Sequence, residues 1–219
     1  MDQLKFDEKG LIPVVVQDRL TGEVRMCAFM NREALTRTLS TGRATFFSRS
    51  RQKLWEKGET SGNVLDVREV YADCDGDTIL LLVDPVGPSC HTGRRACFFR
   101  RITKDGLQDE SPLAGAFLTR LEEEIESRRE STAERSYTKS LLEGGAPRIG
   151  AKLREEADEL ARALATETDD RAASEAADVL YHLLVGLAHR RIPLRAVLAA
   201  LAARAGTSGH AEKAARGKG

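Results

Sequence analysis

Thr103 to Ala114 reads TKDGLQDESPLA, a polar run with one glycine and one proline and neither helical nor strand periodicity. Such a run breaks elements and joins domains. On its N-terminal side, from about residue 11, short β-rich stretches alternate with turn residues: Ile12 to Gln17, Val24 to Met30, Ala44 to Ser48, Val64 to Ala72, Thr78 to Val83 and Cys97 to Ile102. One helix fits there, with Asn31 as its N-cap and its end near Gly42. On the C-terminal side the strand signal disappears, and Ala, Leu, Glu and Arg dominate helical stretches at about 115–130, 133–143, 148–166, 170–190 and 194–205. The expected architecture is an α+β N-terminal domain, a small mixed sheet with a helix, followed by an all-α helical-bundle C-terminal domain. Its limits are set at 1–106 and 115–219 with a linker at 107–114, and the small, basic tail from about 206 is expected to be flexible.

Lys plus Arg and Asp plus Glu each total 34, so the formal net charge is zero and no chain-wide field favours nucleic acid or an anionic membrane. The charged start MDQLKFDEKG has no apolar core of a signal segment, and no run approaches the roughly 20 apolar residues of a membrane span. These features imply a cytoplasmic protein that binds neither membranes nor nucleic acid. Four cysteines are too few for a disulfide scaffold. Their spacing points to metal or to inert burial, and Cys27, in an apolar strand, is expected in the core.

Residues 73 to 77 read Asp-Cys-Asp-Gly-Asp, ahead of the apolar strand Ile79 to Val83 and then Cys90, His91 and Cys97. If the run is extended, Asp73, Asp75 and Asp77 lie on one side and Cys74 on the other. Oxygen ligands suit Mg²⁺, thiolates suit Zn²⁺. A solvated acidic turn and buried inert thiols are the competing readings. Three thiolates would leave a fourth zinc position for water, lowering its pKa to about 7, and His91 would move protons. Between two strands, Ser48 to Gly62 offers Arg49, Ser50, Arg51, Lys57, Ser61 and Gly62 for phosphate, or is an ordinary surface loop.

In the second half, Glu156 with Glu159 and Glu175 with Asp178 are i,i+3 pairs, each placing two carboxylates on one helix face. Two such helices side by side make a Mg²⁺ cage, whereas apart they are solvated faces. The apolar stripes Leu153, Ala157, Leu160, Ala161, Leu164 and Ala173, Ala176, Ala177, Leu180, Leu183, Leu184, Leu187 recur at helical period and are expected in the core.

FFSRSRQKLWEKGETSGN (46–63), DCDGD (73–77) and GPSCHTGRRACF (87–98), in this order and spacing, resemble the phosphoribosyl-AMP cyclohydrolase family over nearly all of residues 4–103. The resemblance implies Zn²⁺ on Cys74, Cys90 and Cys97, with Cys74 supplied by the partner in a homodimer, and Mg²⁺ on Asp73, Asp75 and Asp77. It implies hydrolysis of the adenine ring of phosphoribosyl-AMP between N1 and C6, with His91 as proton shuttle. Phe47 stands where tryptophan is expected, and Ala96 replaces the commoner serine.

RSYTKSLLEGG (135–145), KLREEADEL (152–160) and EAADVLYHLL (175–184) similarly resemble phosphoribosyl-ATP pyrophosphatase over 117–205, as does the terminal GTSGHAEKAAR. This resemblance implies Mg²⁺ on Glu155, Glu156, Glu159, Glu175 and Asp178, cleavage between the α- and β-phosphates, and Lys152, with Arg148 and Lys139, as candidate phosphate contacts. Together the halves would perform the second and third steps of histidine biosynthesis. One rival is a general nucleotide pyrophosphatase with a zinc-stabilised dimerisation module. Another is a zinc protein binding RNA through the Arg49 to Lys57 loop, against which the neutral charge argues.

Overall fold

The computed structural model describes residues 3–109, 117–129 and 136–205, and the chain divides into two compact units at Ala116/Phe117. In the first unit β1 (Ile12–Asp18) is the central strand. It pairs antiparallel with β2 (Val24–Met30) on one side and parallel with β6 (Ile79–Pro85) on the other, and β5 (Leu65–Ala72) closes the four-stranded order β2-β1-β6-β5. Register places Val14 opposite both Ala28 and Ile79, so Ile12, Val14, Val16, Met26, Met30, Ile79 and Leu81 share one buried face. Each such aliphatic side chain, fully buried, contributes roughly 1.5–3 kcal/mol.

Helix α1 (Arg32–Thr41) covers that face with Ala34 and Leu35. Its start is fixed by Asn31, whose Oδ1 accepts from Ala34 N at 2.8 Å. Its end is fixed by Gly42 in the left-handed region at φ 69°, where a Cβ would be strained. The chain then forms a hairpin, β3 (Thr45–Ser48) with β4 (Lys53–Glu56), in which Phe46 pairs with Trp55 at a centroid distance of 5.0 Å. β4 replaces part of the expected Ser48 to Gly62 loop: a four-residue strand with charged ends has no visible alternation until its partner is known. A second hairpin, β7 (Arg100–Thr103) with β8 (Gly106–Asp109), occupies the first part of the stretch taken as a linker; residues 110–116 lie outside the described set. Cys27, expected in the core, is exposed, because Met26 and Ala28 take the inward positions of β2.

The second unit contains α2 (Phe117–Arg129), α3 (Tyr137–Thr166), α4 (Asp169–His189) and α5 (Leu194–Arg204). α3 is broken at Gly145 (φ 65°, ψ −166°), ahead of Pro147, into two limbs that correspond to the two separate helices expected. Ile125, Leu141, Leu142, Ile149, Leu184, Val185, Ala188 and Leu194 form its core. Most of the two apolar stripes expected in the core lies outside it. Leu164 is 71% and Leu180 45% exposed; Ala157, Ala161, Ala173 and Ala177 are exposed too, and of the residues named only Leu184 is buried. The buried residues of those turns include Glu156, Ala163, Glu175 and His182. Periodicity groups residues onto a face but leaves open which face meets the neighbouring helix, and α3 meets α4 here through its carboxylates. The tail from 206 lies outside the described residues. No helix among the described residues is long and apolar enough to cross a membrane.

Candidate active sites

In the helical unit, Glu156 and Glu159 on α3 and Glu175 on α4 bring a carboxylate oxygen each within 4.8 Å of one another. Glu156 is 8% and Glu175 2% exposed. Lys152 Nζ lies 3.1 Å from Glu156 and 2.9 Å from Glu155, and Arg171 reaches Glu175 Oε1. Glu175 Oε2 is buried with no hydrogen-bond partner. Burial holds the Glu175 carboxyl above its ordinary range, and Glu159, Asp178 and Glu156 push the same way against the opposing Arg171. Glu155 is largely exposed and engaged with Lys152, and Asp178 is exposed, so neither belongs to the inner group of three.

Two neighbours were not among the site residues the sequence suggested. His182, 3% exposed, has Nδ1 at 2.9 Å from the Asp178 carbonyl and Nε2 at 3.1 Å from the Tyr137 hydroxyl. A carbonyl only accepts, so Nδ1 carries a proton, and in the neutral ring Nε2 accepts from the Tyr137 hydroxyl. The i,i+4 spacing of Asp178 and His182 was the available signal; the approach of Tyr137 from α3 had none.

In the first unit, residues 73–77 turn between β5 and β6 and are not an extended strand, so the two-sided alternation does not apply. Asp73, Asp75 and Asp77 converge within 4.8 Å because the chain folds back, all three exposed. Asp73 Oδ1 accepts from Asp77 N at 3.0 Å and Thr78 N at 3.1 Å. What burial there is would raise this carboxyl, and those N–H groups hold it below its usual range. Gly76 (φ 76°) admits no Cβ, which would sit 2.6 Å from the Gln3 carbonyl.

Cys74 is exposed in a hollow with Leu4, Leu39 and Tyr71. Cys90, His91 and Cys97 line a different hollow with Lys57, Ser61 and Trp55. Among the described residues no third ligating side chain joins Cys90 and Cys97 within that 4.8 Å. Burial would raise the Cys90 thiol, but Thr92, whose hydroxyl is 3.1 Å from its sulfur, and Cys97 bring it below its ordinary value. Burial and Cys90 push Cys97 up to about 11. Cys90 is thus the readier thiolate and Cys97 the donor to it. Lys57 Nζ donates to the Asn63 carbonyl at 3.2 Å; burial lowers its pKa against the nearby thiols.

The suggested phosphate residues separate. Lys57 and Ser61 face the cysteine hollow, while Arg49, Ser50 and Arg51 line another on which Trp55 also borders. The Arg49 guanidinium stacks 4.1 Å over Phe29, and Arg51 N donates to Ser48 Oγ at 3.2 Å. The Gly62 amide donates to the Gly58 carbonyl at 2.9 Å and is already engaged. Lys152 is held by its two glutamates.

Residues 26–99 match the family described as phosphoribosyl-AMP cyclohydrolase, and residues 118–205 the family described as phosphoribosyl-ATP pyrophosphohydrolase. The chain is 44% identical over 222 residues to the histidine biosynthesis bifunctional protein HisIE of Wolinella succinogenes, covering 99% of this chain and 97% of that one. It is 48% identical over 188 residues to the protein of that name from Thermus thermophilus, covering 86% of each. It is also 44% identical over 227 residues to a chloroplastic counterpart from Arabidopsis thaliana, covering 100% of this chain and 80% of that one.

Proposed function

The chain belongs to the phosphoribosyl-AMP cyclohydrolase and phosphoribosyl-ATP pyrophosphohydrolase families, joined as a bifunctional hydrolase of histidine biosynthesis, and we propose where each half performs its reaction. Pyrophosphate leaves phosphoribosyl-ATP at Glu156, Glu159 and Glu175, and the adenine ring of the resulting phosphoribosyl-AMP is opened at Cys90, His91 and Cys97. The single observation that carries the first assignment is the buried Glu175 oxygen without a protein partner, beside two further carboxylates. Three acids so placed repel one another unless a cation joins them, and hard oxygens fit Mg²⁺.

Bound there, Mg²⁺ supplies charge neutralisation for a triphosphate and a fixed position for attacking water. Glu155 and Asp178 stand at the rim to complete the ligand set, Lys152 holds Glu155 and Glu156 in place, and His182 with Tyr137 fixes the α3–α4 approach behind the acids. Asp73, Asp75 and Asp77 form a second oxygen-rich group of the same character.

In the N-terminal unit two soft thiols in one hollow fit Zn²⁺, and the third, Cys74, faces another hollow of the same chain. A second copy supplying its Cys74 completes the set, so the reading requires a homodimer. Zinc supplies a water primed for attack at neutral pH. His91, exposed in the same hollow, would take up a proton during attack and return it to the ring nitrogen. The phosphate lies toward Arg49, Ser50 and Arg51, with Trp55 between it and the cysteines.

The exposed Leu164 and Leu180 stripe supports pairing of the helical units as well. Replacing both by glutamate leaves helical circular dichroism intact, since neither is buried, and raises the dimer dissociation constant about 30-fold or more in sedimentation. An unchanged constant would remove this face from the interface.

Supplying phosphoribosyl-ATP, Mg²⁺ and Zn²⁺ to the purified chain and weighing every product tests the whole reading. Pyrophosphate with the ring-opened carboxamide is expected. Intact substrate, or preferred hydrolysis of ordinary nucleoside triphosphates, would overturn it.

A further inference from the structure

Behind the Cys90–Cys97 segment lies a largely buried charge network built on Glu23, Arg25 and Arg95. Glu23, 1% exposed, accepts on one oxygen from two guanidinium groups: Arg25 Nη1 at 2.9 Å and Arg95 Nε at 2.8 Å. Arg25 is itself only 3% exposed. Its Nε donates to Ser89 Oγ at 3.1 Å and its Nη2 to the Gly87 carbonyl at 3.2 Å. Its own carbonyl accepts from Cys97 N at 2.8 Å. Within the segment, Ser89 N donates to the Arg95 carbonyl at 3.0 Å and Cys90 N to the Arg94 carbonyl at 3.1 Å. The residue before Cys90 and the amide of Cys97 are therefore both fastened to β2 through one arginine, and the stretch between them is fastened through Arg95 to the same carboxylate.

Residues 86–99 contain no helix or strand, so nothing regular fixes the spacing of the two thiols. Removing the Glu23 and Arg25 charges from water is expensive, and apolar residues of similar volume often stabilise a fold as well or better. A guanidinium can meet a carboxylate, a hydroxyl and a carbonyl from three separate nitrogens in a rigid fork; an apolar side chain offers no donor, and a lysine carries its three on one nitrogen. What the network supplies is geometry.

We propose that Glu23, Arg25 and Arg95 are positioning residues for ring opening: a clamp that sets the separation of the Cys90 and Cys97 sulfurs before metal arrives, without contacting metal or substrate. The proposal rests on reading those cysteines as zinc ligands.

The test uses the full chain, with circular dichroism and thermal melting to follow folding of the N-terminal unit and pyrophosphate release as the control for the helical one. Arg25→Lys keeps the charge and loses the fork; Arg95→Gln, at a partly exposed position, releases the middle of the segment. Both arginine variants are expected to bind Zn²⁺ about 10–100-fold more weakly in chelator competition, with pyrophosphate release unchanged. In metal-stripped protein carrying Cys27→Ser and Cys74→Ser, bridging of Cys90 and Cys97 by phenylarsine oxide should slow by about the same factor. Wild-type zinc affinity and wild-type bridging in both variants would overturn the clamp. If the unsubstituted chain takes up no Zn²⁺, the ligand reading fails, and arsenical bridging still decides the clamp independently.

Discussion

Glu175→Gln stops pyrophosphate release and raises the melting temperature of the metal-free protein. The two effects have one cause. Glu175 is buried, one of its oxygens has no partner, and Glu156, Glu159 and Asp178 all push its carboxyl toward the neutral form. An amide of the same shape removes the charge that burial disfavours and offers N–H donors to the remaining acids. The lost partner, Arg171, is 54% exposed and returns to water at small cost. The melting temperature of the metal-free protein should therefore rise by a few degrees. Catalysis loses a charge-neutralising group, and the turnover should fall by about 10²–10³, while ring opening of added phosphoribosyl-AMP is unaffected. Mg²⁺ should raise the melting temperature of the parent and not of the variant. Glu155→Gln, at an exposed position, should cost much less. A variant that melts lower and still releases pyrophosphate would remove Glu175 from the site.

The features legible in the sequence were those whose cause is local. Asn31 and Gly42 bracket α1 because a cap side chain and a positive φ act within a turn, and the apolar run at Ile12 marks the central strand because both its neighbours bury it. The division into an α+β half and a helical half rests on periodicity over many residues and is the architecture found. What stayed hidden depended on pairing across the chain. β4 becomes a strand only opposite Phe46. The Leu160 and Leu164 stripe shares a face, but the face that meets α4 carries Glu156. Asp73, Asp75 and Asp77 come together through a turn that no alternation rule describes. Glu23 and Arg25 look like ordinary surface charges until Arg95, distant in sequence, closes over them. The cysteines show the limit most clearly: their spacing suggested one site, and the fold places Cys74 in a different hollow from Cys90 and Cys97.

That separation leads to a result obtainable by mixing two inactive proteins. Cys74→Ser and Cys97→Ser chains, each lacking one thiolate, should both lose ring-opening activity while still releasing pyrophosphate. Co-refolded in equal amounts, they assort into homodimers and heterodimers. In a heterodimer one site receives Cys90 and Cys97 from the Cys74→Ser chain and Cys74 from the Cys97→Ser chain, and is whole; the other site lacks two ligands. Random pairing makes half the dimers mixed, so about a quarter of wild-type activity returns. A Cys90→Ser chain mixed with Cys97→Ser cannot rebuild any site, because those two thiols line one hollow of one chain, and should stay inactive. If instead all three thiolates met within a chain, the first mixture would stay as inactive as the second. Recovery in the first and none in the second would place Cys74 across the interface, making ring opening a property of the dimer, while pyrophosphate release needs none of the three thiols.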